Sequence, residues 1–236
     1  MDSMGIRGEA VMGTGFSGEI VTGRSAAPLP QAPVFRRAGW SVSAQDVRPG
    51  GWQSVRCGYG GSAADPPSVL RDLVAWTRAP ACAVSVHGGR YGLARGLTPA
   101  GGWWEAWLNL DAAAEKLAEV PDDVSDPAMW IGGPGFAAAV ARKRAALDAG
   151  VPVDARGALA WARAAGFGGD RDPARVEAVL RSKASSVEPL IPALFAALGF
   201  PPASPAPSNP AASNPGGPHR PSDRPEPLAP RTAVLR

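Results

Sequence analysis

Three runs of alternating side chains, separated by glycine-rich turns, constrain this chain more than any other feature. From Ala81 to His87, Cys82, Val84 and Val86 share one side; from Arg90 to Leu97, Tyr91, Leu93 and Leu97 do; from Trp103 to Leu110, Trp104, Ala106, Leu108 and Leu110 do. A period of two marks a pleated strand. Gly88-Gly89 tolerates the positive φ of a hairpin, and Thr98-Pro99-Ala100-Gly101-Gly102 turns the chain again. The pattern predicts a three-stranded antiparallel meander.

Two more strands are expected earlier, one with Trp40, Val42 and Ala44 alternating with Ser41, Ser43 and Gln45, the other with Val55, Cys57 and Tyr59. Arg48-Pro49-Gly50-Gly51 joins them. Asp65 before Pro66 and Pro67 signals a helix start, with Val69, Leu70, Leu73, Val74 and Trp76 on one face and Pro80 as the stop. Asp111 is expected to cap a short helix to about Glu119, and residues 120–126 read as a linker. Further helices are expected over 135–149, ended by Gly150 and Pro152, from Asp154 to Gly166, from Asp172-Pro173 to about Lys183, and from Ser186 to Gly199. Leu190, Ile191, Leu194, Phe195 and Leu198 form the apolar face of the last.

The expected fold is therefore α+β: an antiparallel sheet of about five strands in ββαβββα order over residues 38–119, then a helical extension over 120–200. That order resembles the roadblock and longin class of small scaffold domains, over roughly residues 39–119. The resemblance implies a five-stranded antiparallel sheet carrying helices on one face. Residues 1–37, rich in glycine, serine and proline without a sustained period, are expected to be poorly ordered and to add little to the core. Residues 201–236, which begin Pro-Pro-Ala-Ser-Pro-Ala-Pro, are expected to be a disordered, solvated tail.

Charge excludes several classes. Lys and Arg number 24 against 21 Asp and Glu, a net +3, and no region carries a basic field of the size nucleic acid requires. The lysines are Lys116, Lys143 and Lys183 alone, and the arginine and alanine excess suggests a GC-rich bacterial source. Cys57 and Cys82 read as buried free thiols, not a disulfide framework. With no signal-peptide pattern and no apolar run near the roughly 20 residues of a spanning helix, a cytoplasmic protein without membrane contact is expected.

Several chemical motifs fail on context. Gly13-Thr14-Gly15-Phe16-Ser17-Gly18 matches G-x-G-x-x-G, but no strand precedes it and no helix is expected after it, and the first lysine is Lys116. Gly133-Pro134-Gly135-Phe136-Ala137-Ala138 opens a helix without a strand before it. Cys82 and His87 lie an odd number of residues apart on one strand and so face opposite ways, and His219 is in the tail; no metal and no cofactor is expected. Cys57 reads as packed between Val55 and Tyr59, a poor setting for a thiolate that His87 with Asp46 or Asp111 would activate. Arg156, Arg163, Arg171, Arg175 and Arg181 mark a DNA-binding alternative, diluted by Asp170, Asp172 and Glu177.

One feature points to function. On the strand from Trp103, Trp104 and Ala106 face one way while Trp103, Glu105 and Trp107 face the other, so both faces carry indole rings. The leading expectation is a non-catalytic interaction or regulatory module, whose site of Trp103, Trp107, Tyr91 and Arg95 docks a protein partner or a second copy. The alternative is a small enzyme joining His87 as base, Arg90 as anion clamp and Glu105 near the hairpin mouth.

Overall fold

A computed structural model of the chain describes residues 16–59, 65–121, 130–169 and 171–202. Its centre is one antiparallel sheet of six strands: β1 (Gly18–Arg24), β2 (Trp40–Arg48), β3 (Trp52–Tyr59), β4 (Ala81–His87), β5 (Tyr91–Leu97) and β6 (Trp103–Leu108), in the order β2-β3-β1-β4-β5-β6. The meander is as expected. Gly88 and Gly89 make the β4–β5 turn at φ 56° and 68°, and the Thr98 hydroxyl accepts from the Gly102 amide in the β5–β6 turn.

The first strand corrects the reading of residues 1–37 and the count of five. Residues 18–24 lie at the heart of the sheet, with Val21 opposite Val55 on β3 and Ala83 on β4. The chain then crosses to helix α1 (Pro33–Arg37), where Leu29, Val34 and Phe35 are buried. Gln53 holds this crossing. Its Oε1 accepts from the Leu29 amide at 2.7 Å and from the Gln45 amide group at 2.7 Å, while Nε2 donates to the carbonyls of Ser25 (2.9 Å) and Ala27 (3.0 Å). Replacing Gln53 with alanine strands these buried groups, and a loss of about 2 kcal/mol is expected in denaturant unfolding. The expectations for residues 1–15 and for the tail beyond Pro202 fall outside the described residues.

Helices cover both faces, not one. α2 (Pro66–Thr77) starts as expected at Asp65, whose carboxylate accepts from the Ser68 amide. With α1 it covers Val21, Val55, Cys57, Ala81, Ala83 and Leu97. α3 (Leu110–Leu117) is capped by Asn109 in left-handed conformation, φ 58°, and not by Asp111, which sits inside its first turn. The Asn109 amide donates to the carbonyls of Arg90 and Ala184, a tertiary use that fixes the turn.

The opposite face carries α4 (Pro134–Ala164), α5 (Pro173–Leu180) and α6 (Leu190–Leu198). α4 is continuous through Gly150 and Pro152, where a break was expected. An internal proline costs about 3 kcal/mol. Burial of Val151, Ala155, Ala158, Leu159, Trp161 and Ala162 on the sheet side offsets that cost. Trp52, Trp161, Phe167, Phe195 and Phe200 close this core, with Phe167 and Phe200 centroids 4.4 Å apart. The Trp161 indole donates to the Leu97 carbonyl at 3.1 Å. Gly199, at φ 90°, ends α6 as expected.

Candidate functional site

β6 is an edge strand, and its two faces differ as the alternation predicts. Trp104, Ala106 and Leu108 are buried under α4, whereas Trp103 is 42% exposed, Glu105 is exposed and Trp107 is half-buried. α1 and α2 cover the other half of that second face; beside β6, Trp103 and Glu105 are exposed, while Leu93 and Leu97 on the neighbouring β5 are buried.

The structure brings the four expected site residues onto this face. Tyr91 and Trp107 lie with ring centroids 6.2 Å apart, and Tyr91 stacks on His87 at 4.9 Å. Arg95 sits directly opposite Glu105, with Nε 3.7 Å from the carboxylate, and its Nη1 donates to the Ser85 hydroxyl at 3.1 Å. Trp103 stands apart from the other aromatics, opposite Leu97.

The three residues of the enzyme alternative are not brought together. Arg90 points into a polar cleft of about 420 Å³ and pairs with Glu115 at 2.7 Å. That cleft is internally compensated, since Asp111 takes Lys183 at 2.8 Å and Arg144 at 2.7 Å, which hold its carboxyl below the usual range. His87 lies on the far side of the sheet; burial first, then Arg95 and Lys116, lowers its pKa. Glu105 answers Arg95 instead.

Cys57 is fully buried, and desolvation pushes its thiol up to about 12; Cys82 is raised the same way from the opposite face. Gly18, the last residue of the G-x-G-x-x-G match, opens β1, so strand, not helix, follows it, and Gly13 to Gly15 lie outside the described residues. No group of three or more His, Cys, Asp or Glu that could hold a metal occurs among the described residues, and no helix there is long and apolar enough to cross a membrane. Of the arginines on the last helices, Arg181 pairs with Glu177 and Asp148, and Arg171 donates to the Gly168 carbonyl.

Sequence reasoning missed a polar row crossing the sheet beside this strip. Glu19 on β1 is fully buried; its Oε1 accepts from the Tyr59 hydroxyl at 2.6 Å, and Ser85 stands directly opposite in register. Oε2 has no hydrogen-bond partner among the described residues, and neither has Arg95 Nε. Burial raises the Glu19 pKa, and the Ser85 and Tyr59 hydroxyls and Arg95 do not cancel it. The row needs β1 between β3 and β4, so only the strand order reveals it. Sequence reasoning also missed a groove of about 220 Å³ along β6, where Gly157, Ala160 and Ala164 of α4 face Trp103 and Trp104.

No protein-family model matches the chain, and comparison with curated proteins and with solved structures finds no match.

Proposed function

We propose that this chain is a non-catalytic interaction module of the bacterial cytoplasm, on a scaffold analogous to roadblock and longin domains, that docks a protein through β6 and the aromatic strip beside it. The observation that carries this reading is the placement of Trp103, Glu105 and Trp107 on one face of an edge strand, with Trp103 and Glu105 exposed and Trp107 half-buried. Partly exposed aromatic rings next to a charged rim have the composition of binding hot spots. Unpaired backbone along an edge adds a row of donors and acceptors ready for a partner. The cytoplasmic placement is supported by two thiols that form no bridge.

The test is the double substitution Trp103→Ala and Trp107→Ala, read by analytical ultracentrifugation for self-association and by affinity capture for partners. Trp103 is exposed but Trp107 is half-buried against the larger core, so circular dichroism first establishes that the variant is folded; in the folded variant association is expected to weaken at least about tenfold. A folded double variant that associates like the parent removes the reading.

A further inference from the structure

We infer that the outer edge of β6 takes an extended, positively charged polypeptide segment as an added antiparallel strand. This rests on the docking reading above and names the kind of partner that fits it.

The two sheet edges are not alike. β2 is protected by a bulge between Val42 and Ala44 and by Asp46 and Arg48 along its length, devices that discourage pairing. β6 runs Trp-Trp-Glu-Ala-Trp-Leu without bulge, proline or lysine, and among the described residues its outward backbone groups meet no partner strand. Beside it, α4 presents Gly157, Ala160, Trp161 and Ala164 to the groove, leaving about 220 Å³ next to the edge. A strand added here sends alternate side chains into that groove and the others over Trp103 and Trp107.

Charge selects the occupant. Glu105 lies midway along the edge with its side chain 55% exposed. Asp154 lies on α4 one turn before Gly157, and burial first, then the Glu105 charge, raises its pKa. Against these two carboxylates stands Arg95, 3.7 Å from Glu105 and already donating to Ser85. A second copy paired about a two-fold axis at Glu105 sets two glutamates directly opposite each other, which is destabilising. A lysine or arginine opposite Glu105, with apolar residues two positions to either side to lie on the indoles, satisfies the site.

The probe is the acetylated, amidated nonapeptide KTVARAVTK, fluorescently labelled and titrated with the full chain by anisotropy. Saturable binding is expected, weakened about tenfold when the central arginine is replaced by glutamate, with the preference reversed in the Glu105→Lys protein. N-methylation of one alternate set of backbone nitrogens should abolish binding, while methylation of the other set leaves it within about twofold. Absence of saturable binding, or equal effects of both methylated sets, overturns the inference. If the peptide fails while the tryptophan double substitution still weakens association, strand addition falls and the docking reading stands. A concentration-dependent dimer lost on that double substitution, with no peptide binding, replaces the basic segment by a second copy.

Discussion

Replacing Gly96 with alanine is expected to destabilise the protein by about 3 kcal/mol or more, lowering the thermal midpoint by about 6–12 °C. The pyrrole side of the Trp104 indole packs against Gly96. A Cβ added there would stand 2.0 Å from Nε1 and 2.7 Å from Cε2 of that ring. The ring is buried, and the groove along β6 is the free space beside it. On the α4 side the absent Gly157 side chain would sit 3.1 Å from the Trp104 Cβ, and the Trp161 centroid is 6.2 Å away. Relief requires expelling the indole or lifting α4 from the sheet, and both forfeit buried apolar area. Gly168→Ala is the control: no atom comes within 4 Å of a Cβ there, and a change within about 0.5 kcal/mol is expected. Equal unfolding midpoints for the two variants would refute this account of the β5–α4 contact.

Glu19→Gln is expected to stabilise the protein at pH 8 by about 2 kcal/mol and to change little at pH 4. Glu19 holds its proton more tightly when folded than the ordinary value of 4.5, because burial penalises the carboxylate. The stability this group contributes is therefore fully present below about pH 4.5. It is lost as pH rises through the higher folded value. An amide keeps an acceptor for the Tyr59 hydroxyl and brings no charge to desolvate. At the acid limb the sign reverses through other groups. Asp111, beside Lys183 and Arg144, has its pKa depressed, so its contribution is present above its ordinary 3.8 and is lost as pH falls through the folded value. Urea unfolding of both proteins from pH 4 to 8 checks this, and a constant difference across that range contradicts it.

The meander was legible because β4, β5 and β6 keep strict alternation and their turns use residues that accept positive φ or lock with a hydroxyl. β1 was not. Gly18 to Gly23 are buried on both sides by helical layers, so the run Gly-Glu-Ile-Val-Thr-Gly shows no alternation, and its glycines read as loop. Its β-branched Ile20, Val21 and Thr22 were the available signal. The single helix through Pro152 was hidden for another reason. Local chemistry at Gly150 and Pro152 favours a stop, and tertiary burial from Val151 onward overrides it. The aromatic strip was visible because alternation alone fixes which indoles share a face. The Glu19 row and the β6 groove depend on neighbours distant in sequence, Tyr59 and Ser85 in one case and Gly157 in the other.

The central position of β1 also sets an order of events during synthesis. β1 is synthesised before the other five strands of the sheet and pairs with β3 and β4, so Val21 waits for Val55 on one flank and Ala83 on the other. The β2–β3 hairpin and the later meander close short loops and can form first, while β1 must be threaded between them over long separations. In pulsed hydrogen exchange during refolding, the amides of Ile20 to Thr22 should gain protection after those of β4 and β5, so that the earliest-made of the six strands is the last to be secured.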